Sequence, residues 1–124
     1  MNINISNSSV QPLYEQITVQ VKNAIMHGEL NPGEMLPSIR LLAKELQISV
    51  ITTKRAYEEL EKEGFIDSVA GKGSFVAVQS NELLKEKRLK FIEEKLVEVV
   101  NESIVLGVGL DELIEMIALL YRED

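Results

Sequence analysis

Apolar residues recur at two different spacings along this chain, and the spacings predict where helices and strands lie. Steps of three or four residues are typical of a helix with one buried face, and they occur over five segments: about 12–27, two short segments within 36–63, about 82–105 and about 111–121. Short runs rich in β-forming residues, over 65–69 and 74–78, flank a glycine-containing tip, as in a hairpin. The predicted fold is therefore mainly α with a small β-hairpin.

Two short helices joined by a tight turn are predicted within residues 36–57, which is the layout of a helix-turn-helix. Ser38 is placed to cap the first helix, and we expect Leu41, Leu42 and Leu46 on its inner face. On the second helix, the inward set is Thr53, Ala56, Tyr57 and Leu60, and the outward set is Ile51, Arg55 and Glu58, flanked by Thr52 and Lys54. A second helix with an outward face of this kind can place side chains in the major groove of DNA.

Ala70-Gly71-Lys72-Gly73 forms the predicted tip of the hairpin. A phosphate-binding loop needs a following helix with Ser or Thr, and both flanks here are strands. Two interpretations remain: a plain hairpin tip, or a wing whose glycines let the backbone approach a groove and whose Lys72 supplies a charge. With the helix-turn-helix at 37–57 and the wing at 65–78, we predict a winged helix-turn-helix domain over residues 10–78.

The residues after this domain predict two further helices with apolar faces. Leu89, Ile92, Leu96 and Val99 follow the spacing of a short heptad seam, and Leu113, Ile114 and Ile117 lie on the last helix, beyond an interruption at Gly107–Gly109. Two helices of this kind cannot bury their apolar faces on each other alone. We therefore predict that residues 81–124 form a helical dimerisation element and that the partner is a second copy of the chain.

Composition excludes several classes of protein. With 45% hydrophobic and 27% charged residues, the chain is typical of a soluble globular protein. It lacks the apolar run of a membrane-spanning helix and the N-terminal pattern of a signal peptide, so we expect a cytoplasmic protein without a membrane partner. The absence of cysteine and the single histidine, His27, argue against a transition-metal site. Carboxylates are spread over helix faces, so we expect no catalysis, no metal and no cofactor.

The net charge of −7 is unfavourable for binding nucleic acid, but its distribution is uneven. Residues 82–124 hold 11 acids and 6 bases, whereas residues 36–57 hold four bases and one acid. Because screening acts over roughly 8 Å at physiological salt, the local charge of a contact surface matters more than the sum over the chain. The helix-turn-helix segment is locally basic, which keeps DNA among the expected partners.

The segment from Pro12 to Val76 resembles the N-terminal winged-helix domain of the GntR family of bacterial transcription regulators. The matching motifs, in order, are Pro12–Ile17, Gly28–Gly33, Leu36–Arg40, Ala56–Leu60 and Gly71–Val76. The short helical tail is similar to the small YtrA-like subfamily. The resemblance implies a dimeric regulator that binds double-stranded DNA, with Arg40 in the place of a family arginine that contacts DNA.

The resemblance and the helix pattern together give ten predicted DNA-contacting residues. Ser49, Thr52 and Lys54 align with family positions that touch phosphates and bases, and Ile51 is expected to contact a thymine methyl group. Arg55 faces outward beside them, but it could equally pair with Glu58 or Glu59. The ten residues are Ser38, Arg40, Ser49, Ile51, Thr52, Lys54, Arg55, Gly71, Lys72 and Gly73.

The predicted function is sequence-specific control of transcription, with a homodimeric repressor on a palindromic operator as the expected form. The alternative is a winged-helix adaptor for protein contacts without DNA binding, and basic residues at phosphate-facing positions argue against it. Val50 and Ala70 stand where relatives often have an arginine and a polar residue, so the family's operator sequence is not expected to transfer. A small-molecule effector is left open, because a short tail has little room for a pocket of about 300 Å³ unless two subunits build it.

Overall fold

The computed structural model describes residues 1–123, with the backbone alone at position 81. Within these residues the elements are α1 (Leu13–Met26), α2 (Ile39–Leu46), α3 (Val50–Lys62), β1 (Ile66–Val69), β2 (Gly73–Val76), α4 (Asn81–Leu106) and α5 (Leu110–Arg122). The predicted fold class, mainly α with a small β-hairpin, is confirmed. The chain forms two units that divide between Gln79 and Ser80. The predicted tail 81–124 ends at Asp124, which lies outside the described residues.

Helix α3 is the centre of the first unit, because α1 and α2 both pack against it. Its buried residues are the predicted ones, Thr53, Ala56, Tyr57 and Leu60. They join Ile17, Val21 and Ile25 of α1 in one apolar core. The hydroxyl of Thr53 donates to the Ser49 carbonyl at 3.1 Å, so this buried polar group has its partner.

Helix α2 differs from the prediction at one position of its inner face. Leu42 is buried, but Leu41 is 47% exposed. Ile39 packs against the core instead, together with Leu46. The spacing from Ile39 through Leu42 to Leu46 keeps one face of a helix inward, and Leu41 lies about 100° away from Leu42 on that helix. The prediction that Leu41 points inward is therefore wrong.

The hairpin is antiparallel, with Ile66 opposite Val76 and Val69 opposite Gly73. The chain between α1 and α2 runs along its second strand as well, through three backbone hydrogen bonds. These are Gly33 N–H to the Val76 carbonyl (2.8 Å), Val76 N–H to the Glu34 carbonyl (2.8 Å) and Leu36 N–H to the Ser74 carbonyl (2.9 Å). This segment begins with a turn at 31–34, which is closed by Glu34 N–H on the Asn31 carbonyl at 3.0 Å. The hairpin is thus tied to the segment that leads into α2.

Residues 3–6, which we call the N-terminal arm, also belong to the first unit. Ile3 and Ile5 pack against its core, although the domain was predicted to begin only at residue 10. Residues 2–6 alternate polar and apolar with the two-residue period of a strand, but the alternation contains only two isoleucines, which is too short a pattern to predict packing against the core. The packed part of the first unit therefore begins well before α1.

The second unit consists of α4 and α5, joined through Gly107 in the left-handed region at φ +75°. Among its described residues only Ser103 is buried, and α5 has no buried residue. Its apolar side chains remain largely in contact with solvent: Leu89 is 55% exposed and Ile92 53%. Neither helix satisfies the length and hydropathy of a membrane span, and the same holds for the other helices in the described part of the chain.

Candidate nucleic-acid interface

The entry to α2 places Ser38 and Arg40 at the surface of the first unit. The Ser38 side chain accepts a hydrogen bond from Leu41 N–H at 3.1 Å, so it caps the helix as predicted. Arg40, in the first turn, is exposed, and among the described residues it has no salt bridge. Its guanidinium therefore keeps all its donors for an external acceptor such as phosphate or a guanine edge.

Tyr57 anchors this entry from the core. Its hydroxyl donates to the Pro37 carbonyl at 2.7 Å, directly before the capping serine. Burial, and next the charge of Glu45, raise the pKa of the Tyr57 phenol well above its ordinary value, so the group stays protonated and remains a donor. The position of Arg40 on α2 is thus fixed through a side chain of α3.

The turn between the two helices has a left-handed residue at its centre. Gln47 adopts φ +56°, and Ile48 N–H donates to the Ala43 carbonyl at 3.0 Å, which closes the end of α2. Ser49 then caps α3 by accepting from Thr52 N–H at 3.0 Å. These two local devices set the direction in which α3 leaves the turn.

The first turn of α3 presents the predicted outward side chains. Ile51 is 81% exposed, which is unfavourable in water and suits an apolar contact such as a thymine methyl group. The Ser49 hydroxyl donates to the Thr52 hydroxyl oxygen at 2.8 Å. The Ser49 proton is therefore engaged, and the Thr52 hydroxyl keeps its own proton for an outside acceptor.

The two cations near the start of α3 differ in their surroundings. Lys54 lies 3.8 Å from Glu58 one turn further along the same helix, and both side chains are exposed. The guanidinium of Arg55 lies over the ring of Tyr14 on α1, 3.8 Å from the ring centre. The alternative that was left open for Arg55, an ion pair with Glu58 or Glu59, is therefore replaced by a stacking partner on another helix. The sequence analysis did not identify Tyr14 as a partner of Arg55. The only signal for Tyr14 was that it lies within the Pro12–Ile17 motif.

The hairpin tip is built as a tight turn. Lys72 N–H donates to the Val69 carbonyl at 3.0 Å, and Gly71 adopts φ +76° at the third position, as a type II turn requires. Gly73 follows at φ +117°, also in the region that favours glycine. Lys72 is exposed between the two glycines, so its ammonium group is directed to solvent from a backbone with little bulk.

All ten predicted DNA-contacting residues lie in the first unit; nine are exposed and Thr52 is half-buried. The part of the chain that the structure describes contains no cluster of three His, Cys, Asp or Glu residues that could hold a metal ion. The His27 Nδ1 atom lies 2.7 Å from the Asn23 carbonyl at the end of α1.

Comparisons with known proteins bear on the identity of the chain. Residues 13–76 match the family model described as bacterial regulatory proteins, gntR family. The HTH-type transcriptional repressor YtrA of Bacillus subtilis is 36% identical over 115 residues, which cover 93% of this chain and 88% of that protein. The crystal structure of AraR(DBD) in complex with operator ORE1 has a TM-score of 0.53 at 26% identity, covering 62% of this chain and 94% of that one.

A second solved structure extends over most of both units. It is described as a GntR family transcriptional regulator from Listeria monocytogenes, and it has a TM-score of 0.79 at 25% identity, covering 92% of this chain and 97% of that one. The family model spans half of this chain, and the YtrA relative extends over nearly all of it. The chain therefore belongs to the GntR family of bacterial regulatory proteins and is a transcription regulator with a winged helix-turn-helix unit.

Proposed function

We propose that this protein represses transcription by occupying a palindromic operator as a homodimer in the cytoplasm. The observation that carries the DNA-binding part is the outward face of the helix-turn-helix. Three side chains lie at the starts of α2 and α3 and pack little against the core: Ile51, which is exposed, Thr52, whose hydroxyl proton is available, and Arg40, which is unpaired. The AraR unit, which shares this fold, is solved on an operator.

The contacts divide into two kinds on this proposal. Ile51, Thr52 and Arg40 read base edges, because they combine an apolar contact, a hydroxyl and a planar donor at the helix starts. Lys54 and the wing-tip Lys72 contact phosphates, since a lysine supplies charge without demanding planar geometry. Ser38, Ser49, Gly71 and Gly73 shape the backbone that presents these side chains. Arg55 is held against α1 by its stacking on Tyr14, so its contribution to DNA is the smallest of the cations.

The homodimer is supported by the second unit, which has exposed apolar residues on both helices. An apolar groove of about 360 Å³ on α5 is lined by Ile114, Ile117, Ala118, Tyr121 and Arg122, all from this one helix. The α4 seam is equally uncovered, with Leu96 and Val99 exposed by 46% and 42%. Burying a large apolar side chain contributes roughly 1.5–3 kcal/mol, so two copies of such a surface give a strong reason to associate. A two-fold dimer places two helix-turn-helix units on a palindrome.

Selection from random-sequence duplex DNA tests the DNA-binding part. The wild-type chain is expected to enrich a two-fold symmetric site, and its affinity for that site should fall linearly on a log–log plot as salt is raised. The matched control is the Arg40→Ala chain, carried through the same rounds. If the wild type enriches no sequence over the starting pool, the protein is the winged-helix adaptor of the alternative hypothesis.

A further inference from the structure

We propose that the N-terminal arm, residues 3–6, is a clasp that holds α2 in the position from which it contacts DNA. The proposal rests on the DNA-binding function above and adds a part of the chain outside the helix-turn-helix. It follows from how the arm is bound, from what it packs against and from how α2 is held in the unit.

Two glutamines of α1 bind the backbone of the arm. The Gln20 amide accepts from Asn4 N–H at 2.9 Å and donates to the Asn4 carbonyl at 2.7 Å. The Gln16 amide repeats this arrangement on Ser6, accepting from its N–H at 2.8 Å and donating to its carbonyl at 3.0 Å. Each side-chain amide therefore pairs with one arm residue through both of its polar atoms, in the manner of a neighbouring strand.

The spacing of these pairs matches an extended segment. Residues four apart on a helix are separated by about 6 Å along its axis, and two residues of extended chain span about 6.7 Å. The side chains that alternate with the bound positions, those of Ile3 and Ile5, pack against the core. Gln16 is only 6% exposed, and its amide also donates to the Gln11 carbonyl at 2.9 Å. Every polar atom of this buried side chain is thus satisfied only while the arm is in place.

The arm lies beside the C-terminal half of α2. Helices α1 and α2 both pack on α3, and the segment that leads into α2 is tied to the hairpin. A hollow of about 380 Å³ is lined by residues 1–4, which include Ile3 and Asn4 of the arm, and by Leu42, Glu45 and Leu46 of α2. Ile3 also borders a hollow of about 250 Å³ that is shared with α1 and the 29–34 loop. The arm thus lies between α1 and the end of α2 that is farther from the hairpin, and its loss would remove one support of that end.

Ile5→Asp in the full chain tests the clasp, because a charge at a packed position expels the arm. Val10→Asp is the matched control: it introduces the same charge, also before α1, at a fully exposed valine. Amide hydrogen exchange without DNA should accelerate by at least about tenfold in α2 of the Ile5→Asp chain, while the α1–α3 core exchanges as in the wild type. Affinity for a duplex selected by the wild type should fall by a similar factor, and Val10→Asp should change neither quantity.

Three results would overturn the proposal. Unchanged exchange in α2 would show that the arm does not hold it, and equal acceleration in every helix would make the arm an ordinary part of the core. A lower slope of log affinity against log salt for Ile5→Asp than for Val10→Asp would show that the arm itself contacts phosphates. Gln20→Ala, which removes one backbone pair and no apolar contact, gives the same readouts if Ile5→Asp fails to fold. Because exchange is measured without DNA, it judges the clasp even if no duplex is enriched.

Discussion

Both units of this chain are rich in apolar residues, but only the first encloses them. Ile17, Leu42 and Leu60 are at most 2% exposed in the first unit, whereas Leu89, Ile92 and Leu120 of the second are exposed by 53–64%. The first unit meets its apolar faces with other elements of the same chain: α1, α2 and the hairpin all pack around α3. The second has two helices and no third element to cover them.

The difference separates the two tasks of the proposed dimer. A unit with a closed core needs no partner to hold the positions of its helix-turn-helix, so its surface is available for DNA. A unit without a core gains stability only when another molecule covers it. Substitutions on the first unit's outward face should therefore act on DNA binding, and substitutions on the second unit's apolar face should act on association.

The largest expected effect is on association. Leu96→Glu places a charge in the α4 seam, and the dimer dissociation constant should rise at least about 100-fold, since two copies of the residue are affected. Leu83→Glu is the matched control, because Leu83 is exposed to the same degree (45% against 46%) but lies on a different face of α4. Sedimentation equilibrium of both chains measures the constants. Equal dissociation constants for the two variants would show that the α4 seam is not part of the dimer interface.

The next largest effect is on DNA binding through α2. Arg40→Ala should weaken operator binding by about tenfold to a hundredfold, because an arginine contact to DNA is worth about 1–3 kcal/mol. Arg40 has no salt bridge within the described residues, so the thermal midpoint should move by less than about 2 °C. Lys62→Ala removes a cation from the far end of α3 and should leave affinity nearly unchanged. Fluorescence anisotropy titrations measure both affinities. If Lys62→Ala binds the operator more weakly than Arg40→Ala, the assignment of Arg40 as a DNA contact is contradicted.

A smaller effect distinguishes residues that contact phosphates from residues that contact base edges. Lys72→Ala should reduce affinity for strong and weak operators equally and lower the salt slope by about 0.9 per subunit. Thr52→Val removes only a hydroxyl and should change the order of preference among operators. A panel of single-base operator variants measures both effects. The same order of preference for wild type and Thr52→Val would mean that Thr52 reads no base.

The smallest effect concerns the stack between α1 and α3. A double-mutant cycle of Tyr14→Leu and Arg55→Ala should give a coupling of about 0.5–2 kcal/mol in the free energy of unfolding, as expected for a guanidinium over a ring. The control is a second cycle that combines Tyr14→Leu with Lys54→Ala, and the coupling between Lys54 and Tyr14 should be close to zero. Urea unfolding at one protein concentration supplies the free energies. Equal coupling for both cations would argue against a specific stack.

Periodicity was sufficient for most of the fold, because helix faces are set by local spacing. The burial of Thr53 and Leu60, and the cap at Ser38, follow from positions within a few residues of one another. The errors and omissions have a different origin. Leu41 and Ile39 are both apolar near the start of α2, and only the packed structure decides which of them meets the core.

Contacts between distant parts of the chain were the least predictable part of the site. The stacking of Arg55 on Tyr14 joins residues 41 positions apart, and the pairing of Gln20 with Asn4 joins α1 to an arm with only two alternating apolar residues. No spacing rule connects such residues. The pairing of 33–36 with β2 was missed for the same reason, because the strand that this segment reaches lies some 40 residues later.

The most direct test of the comparison is sedimentation of a chain ended at Gln79 beside the full chain. The first unit encloses its own core, so the shortened chain should be a folded monomer at micromolar concentration, with the far-ultraviolet circular dichroism of its three helices. The full chain should be a dimer under the same conditions, because α4 and α5 are then present to associate. A shortened chain that still dimerises, or a full chain that remains monomeric, would contradict the claim that the second unit holds the dimer.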